Sequence, residues 1–240
     1  PTMDALAARG ARFDAAITPQ PRTTPGLASL WTGLWPHHHG AREVHWPRRR
    51  GTLVSEVLRE RGYVTRAVSA NAAAGPDTGL DVGFDRFEVR TSGDASEITE
   101  IALELADAPE ASPLLLWVHY YDPHAPYAPP EAADPPPSSL CSRVQTEERW
   151  NDALSNRTGI SARAFPECSA LYDAEVAWSD RHIARVVERL RARGRLKHGF
   201  LIFTSDHGEG MGERGLWYEH GPNVHGSNLR VPLAISGIGI

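Results

Sequence analysis

Two short apolar runs, SPLLLWVH over Ser112–His119 and KHGFLIFTSD over Lys197–Asp206, each end on a residue able to do chemistry. Runs of this length and composition are buried strands, and helical patterns separate them from their neighbours. Thr2–Gly10 reads as a short amphipathic helix stopped by Gly10, and Ala11–Thr18 alternates as a strand. Gly51–Gly62 reads as a helix with Thr52 as its start signal, followed by a strand over Tyr63–Ala70. Ala95–Asp107 is helical, and the longest helix runs over Ser169–Gly194, with apolar residues at Leu171, Ala174, Ala177, Trp178, Ile183, Val186, Val187 and Leu190. Arg230–Ser236 supplies a last strand. Helix and strand in alternation imply an α/β sandwich with a mainly parallel central sheet flanked by helices, and ligands at the carboxyl ends of its strands. The stretch from Tyr121 to Pro166 is too long and too rich in proline for an ordinary connection, and reads as a functional loop or an insertion centred on about 131–167.

Composition narrows the function classes. A chain of 240 residues, 41% hydrophobic and with seven Trp, carries enough apolar material for a single domain spanning 1–240. A net charge of −5 with short basic runs, Arg48–Arg50 and the acid-interleaved Arg185–Lys197, gives no footprint for nucleic acid. The densest apolar run, Leu114–Val118, falls far short of the roughly 18 residues of a membrane span. PTMDALAARG contains no apolar leader segment. Cys141 and Cys168 flank the irregular region, and both a disulfide and two free thiols are compatible with them.

The chemistry concentrates at strand ends. In FTSDHGEGMGERG, Asp206 and His207 follow at once on a strand in a glycine-rich loop, and together offer a hard oxygen and a borderline nitrogen to one divalent cation. In WVHYYDPHAPYAPP, His119 closes a strand and His124 sits in a turn stiffened by Pro123 and Pro126, which suits a proton donor or an anion ligand. WYEHGPNVHG adds His220 and His225. In RTTPGLASLWTGLWPHHHG, Thr23 and Thr24 stand ahead of Pro25 at a helix opening; Thr24, directly before a proline at the first helical position, reads as the N-cap. His37–His39 read as a structural or surface turn.

These motifs, with PTMDALAARGARFDAAIT, TLVSEVLRERGYVTRAV, GFDRF, YDAEVAWSD and LRVPLAISG, occur in the order found in the sulfatase family of the alkaline phosphatase superfamily, which the chain resembles outside about Glu131–Glu167. The resemblance implies an α/β domain with a metal-assisted nucleophile attacking a sulfuric or phosphoric ester. It puts the nucleophile position on Thr23, where family sulfatases carry a Cys or Ser oxidised to formylglycine. Threonine is no known precursor of that aldehyde, so Thr23 tilts the expectation toward phosphoryl chemistry, because a phosphothreonine can be attacked by water or an alcohol. The family arginine four residues on is Leu27, and Ser69 and Asn71 stand where family cations bind sulfate. His220-Gly221 resembles the His-Gly of phosphoethanolamine- and glycerophosphate-transferring relatives. Family members also begin with a buried strand bearing metal-binding acids and end in a smaller subdomain, and nothing in the sequence matches either.

The expectations are therefore a catalytic set of Thr23, His124 and His220, substrate contacts from His119 and Asn71, and a divalent cation on Asp206, His207 and Thr23. Within it His124 is the general acid and Glu209 orients its loop. The resemblance implies calcium or magnesium, while the Asp-His pair permits manganese or zinc. The substrate is a small-molecule, glycan or lipid ester, and family habit puts the protein outside the cytoplasm or in the periplasm. A phosphotransferase and a non-catalytic anion-binding remnant are the alternatives.

Overall fold

The structure, a computed structural model, describes residues 1–91, 93–109, 111–130, 140–146, 159–221 and 223–240. Strands β2 (Val64–Ser69), β3 (Arg86–Val89) and β4 (Leu114–His119) form a parallel sheet in the order β3-β2-β4. Side chains alternate across it as the pleat requires. Ala67, Leu115 and Trp117 face a cluster built on helix α2 (Thr23–Thr32), including Leu27, Ala28 and Trp31. Val68, Leu116 and Val118 face the other way, toward α5 (Ala95–Ala106) and Val186 of the long helix α7 (Ile160–Ala192). A helical layer on each face is the α/β sandwich that the alternating pattern predicts.

Local signals set the helices. Asp94 caps α5 by accepting from Glu97 N–H at 2.9 Å, and Ile98, Ile101, Ala102 and Leu105 form its buried stripe at helical spacing. Trp31 of α2 meets Trp117 and Phe84 edge to face, at ring separations of 5.2 and 5.4 Å. Each such pair adds about 0.5–1.5 kcal/mol beyond area burial. Helix α1 (Thr2–Ala8) is capped from a distance: the buried Asp180 of α7 accepts from Thr2 N–H and Met3 N–H, both at 2.8 Å. Between them lie α3 (Pro36–His39) and α4 (Val54–Glu60).

A second sheet, in the order β1-β8-β5, is antiparallel and joins β5 (Phe200–Thr204) to β8 (Leu233–Gly237) and β1 (Ala11–Arg12). A hairpin of β6 (Gly210–Met211) and β7 (Trp217–Glu219) follows β5.

Several sequence expectations shift. The strand expected over Ala11–Thr18 pairs only at Ala11–Arg12, with a lone bridge from Ile17 to Arg230. The helix expected from Thr52 starts at Val54, because Glu56 accepts Leu53 N–H at 2.8 Å and fixes the first turn there. The region read as irregular up to Pro166 contains α6 (Leu140–Thr146) and the opening turns of α7, which accommodates Pro166 in its interior. The rest of the expected insertion, residues 131–139 and 147–158, lies outside the described residues. Cys141 of α6 and Cys168 of α7 form a disulfide, both fully buried. Among the described residues, no helix is long and apolar enough to cross a membrane.

Candidate active site

Thr23 is the first residue of α2, with Arg22 in extended backbone at the N-cap position and no side chain capping the helix. The structure thus corrects the role expected of Thr24. Its hydroxyl, fully buried, donates to Ala73 O at 2.7 Å and accepts from His45 N–H at 2.9 Å, so it ties two loops to the helix start instead of capping it. Thr23 turns the other way. Its Oγ1 lies 3.5 Å from His207 Nε2, at the N-terminal end of a ten-residue helix where backbone N–H groups favour an anion. Gly26 permits this approach: a Cβ there would sit 2.8 Å from Asp206 O.

Asp206 and His207 leave β5 as expected. Asp206 Oδ1 accepts from His207 N–H at 3.0 Å, and Oδ2 lies 3.4 Å from His207 Nε2. Burial pushes the Asp206 carboxyl up, but His207, His119 and His220 outweigh it and hold the group below the usual carboxylate range. Burial lowers His119, assisted by His207 and opposed by Asp206, so its imidazole is neutral at physiological pH.

The histidines share one design. His207 Nδ1 is 2.9 Å from Gly208 O, His124 Nδ1 is 2.6 Å from Ala125 O, and His220 Nδ1 is 3.1 Å from Glu209 Oε1. Each acceptor receives a hydrogen bond from Nδ1–H and thereby leaves Nε2 as the working nitrogen. Glu209, 7% exposed and expected to orient its own loop, instead holds the His220 ring. The rings form a chain: Tyr121 stacks on His124 at 4.3 Å, His124 meets His220 edge to face at 5.0 Å, and His220 stacks on His207 at 4.0 Å. His119, stacked on Trp117, binds Ser69 Oγ through Nδ1 at 2.9 Å.

The structure therefore brings Thr23, His119, His124, Asp206, His207 and His220 together. Asn71 is placed differently: its Oδ1 accepts from Ala73 N–H at 2.8 Å and caps the short turn whose Ala73 O receives Thr24. Leu27 is buried in the core beneath α2, 2% exposed, and supplies no charge to the site. His39, also buried, bonds Ser29 Oγ and Ala41 N–H, so the last member of the histidine run is structural as expected. Two site residues carry no sequence signal: Tyr121, which stacks under His124, and Arg22. As a metal centre the set is short. Asp206 Oδ2, His207 Nε2 and Thr23 Oγ1 are donors of the right type for a divalent cation, yet among the described residues no three His, Cys, Asp or Glu side chains converge to hold one.

The sulfatase family model matches residues 1–240. The uncharacterized sulfatase YidJ of Escherichia coli is 24% identical over 97% of this chain and 56% of its own length. Curated relatives matched over most of the chain are about twice its length, which covers 45–56% of each. Among solved structures, a 2-O GAG sulfatase superposes with a TM-score of 0.75 at 17% identity, over 100% of this chain and 59% of that one. The phosphonate monoester hydrolase of Agrobacterium radiobacter gives 0.72 at 18% identity, over 99% and 62%. The order of strands, the His-rich edge of the sheet and the match across the whole chain lead to one conclusion: this chain belongs to the sulfatase family.

Proposed function

We propose that the chain carries the reaction centre of an ester hydrolase in which Thr23 Oγ1 attacks the phosphorus or sulfur of an anionic ester, phosphoryl esters being preferred. The observation that carries the reading is Thr23 Oγ1 at 3.5 Å from His207 Nε2, at a helix N-terminus ringed by imidazoles from separate loops. His207 Nδ1–H is committed to Gly208 O, so the Nε2 lone pair faces the hydroxyl and can take its proton as the new bond to oxygen forms. The bond to the leaving oxygen breaks, and His124, entering the step as the imidazolium, supplies its proton from Nε2 while Ala125 O accepts from Nδ1–H. His220 and His119 face the oxygens of the transferred group. Water then attacks the phosphothreonine and gives a proton to His124 Nε2, the bond to Oγ1 breaks, and Thr23 recovers its proton from His207.

A divalent cation, calcium or magnesium by family resemblance and manganese or zinc by donor type, belongs to this reading with Asp206 and His207 as two of its ligands. Bound there, it would occupy the His207 Nε2 lone pair and favour the Thr23 alkoxide itself, in place of proton transfer to the imidazole, while polarising the ester. The relatives named a 2-O GAG sulfatase and a phosphonate monoester hydrolase support small-molecule or glycan esters of either acid as substrates. The buried disulfide supports export to an oxidising compartment.

The test compares Thr23→Ala with the unaltered chain on an aryl phosphodiester and an aryl sulfate, with and without added divalent metal, and maps any phospho adduct by peptide mass. Turnover lost in the variant, with a phosphopeptide containing Thr23 in the parent, is expected. Equal turnover in both proteins overturns the reading.

A further inference from the structure

Residues Arg22, Thr23 and Thr24 each face a different part of the molecule. Thr24 holds the loops at His45 and Ala73, and Thr23 faces His207. The Arg22 side chain, 27% exposed, donates from Nε to Gly221 O at 3.3 Å and pairs its guanidinium with the Glu43 carboxylate. Gly221 is shaped for this contact twice over. Its φ of +104° disfavours any L side chain, and a Cβ would lie 3.3 Å from Arg22 Nε and 3.4 Å from its Cγ. Gly221 directly follows His220, whose ring stacks on His207 and meets His124. Arg22 thus connects the residue before the proposed nucleophile to the residue after the imidazole at the centre of the ring chain.

We propose that Arg22 is a positioning residue for the reaction described above, setting the placement of His220 relative to Thr23 through Gly221 O, with Glu43 holding the guanidinium in register. The inference rests on that reading of the site for its purpose, but not for its test. Arg22 contributes geometry more than stability, because an ion pair whose Glu43 side chain is 46% exposed adds little to folding. It also differs from an anion clamp: Glu43 already engages the charge that a substrate oxyanion would need.

The experiment uses the histidine side-chain NMR spectrum of this chain, amide exchange across α2, and titration with inorganic phosphate, for Arg22→Met, Arg22→Lys and Glu43→Gln. In Arg22→Met the His220 ring signals are expected to shift, while α2 amides stay protected. Arg22→Lys, which still donates to a carbonyl, restores the His220 signals, and Glu43→Gln moves them in the same direction as Arg22→Met. Unmoved His220 signals in folded Arg22→Met overturn the proposal. So does phosphate binding that tightens in Glu43→Gln and disappears in Arg22→Met with His220 unmoved, the pattern of a clamp. If Arg22→Met does not fold, Glu43→Gln decides by the same signals. Turnover retained in Thr23→Ala would overturn the nucleophile assignment and leave these readings intact.

Discussion

Glu175 lies on α7 beneath the loop that carries His124, 3% exposed, with Oε1 accepting Ala128 N–H at 2.7 Å and Oε2 without a partner among the described residues. Burial pushes its carboxyl up to about 8, against a pull from the Ala128 amide and with a smaller push from Asp122. Tyr127 and Tyr172 also face it. In the unfolded chain the group titrates at its ordinary 4.5, so folding takes up a proton throughout the interval between the two values. The stability this group contributes is fully present below 4.5 and is lost as pH rises through about 8. At about 1.4 kcal/mol per pH unit, the loss between pH 5 and pH 7 is about 3 kcal/mol. Glu175→Gln keeps an oxygen for Ala128 N–H and removes the titration from both states. Urea unfolding followed by Trp fluorescence at several pH values between 5 and 8 measures the difference. The variant is expected to gain on the parent by about 3 kcal/mol between pH 5 and pH 7, leaving the smaller slope from Asp122, whose carboxyl burial also raises. Parallel stability curves for the two proteins would refute the argument.

Elemental analysis after dialysis is expected to find less than one equivalent of divalent metal per chain, because two protein side chains and a hydroxyl make a short donor set; a full equivalent that survives Asp206→Ala would refute the assignment of that pair. Replacing both Cys141 and Cys168 by Ser releases a link of sequence separation 27 and is expected to cost roughly 3 kcal/mol in denaturant unfolding. Gly26→Ala forces a Cβ to within 2.8 Å of Asp206 O, so calorimetry should show a loss of about 1–3 kcal/mol, and an unchanged melting point would mean that α2 and the Asp206 loop separate without cost.

The α/β layering was legible because α5 and α7 each bury one stripe, and because β4 and β5 are short apolar runs ending at His119 and Thr204. Asp206, His207, His119, His124 and His220 were legible for a related reason: they sit within a few residues of strand ends, where the topology leaves little choice of position. The roles of Thr24 and Asn71 were not. Both are short polar residues whose local preference is capping, and long-range partners decided between them, Ala73 and His45 for Thr24 but the adjacent turn for Asn71. Arg22 was invisible for the same reason, since Gly221 lies 199 residues away and no spacing rule connects them. Pro166 misled in the opposite sense: it is a helix breaker by propensity, yet it is tolerated inside a 33-residue helix that the disulfide and a buried face hold in place.

The remote cap on α1 bears on the order of events during synthesis. A seven-residue helix is marginal by itself, and its two capping bonds come from Asp180. Among the described residues the strand that follows it, β1, pairs with β8 alone, aligning Ala11 with Ile235. Residues 1–12 therefore meet these partners only after Asp180 and β8 have been made, while β2, β3 and α5 can assemble among themselves much earlier. Such late, long-range closure slows folding and leaves α1 and β1 exposed to proteases in the interval. Removing β8 would cost β1 its strand pairing, and the damage would surface far from the cut in sequence.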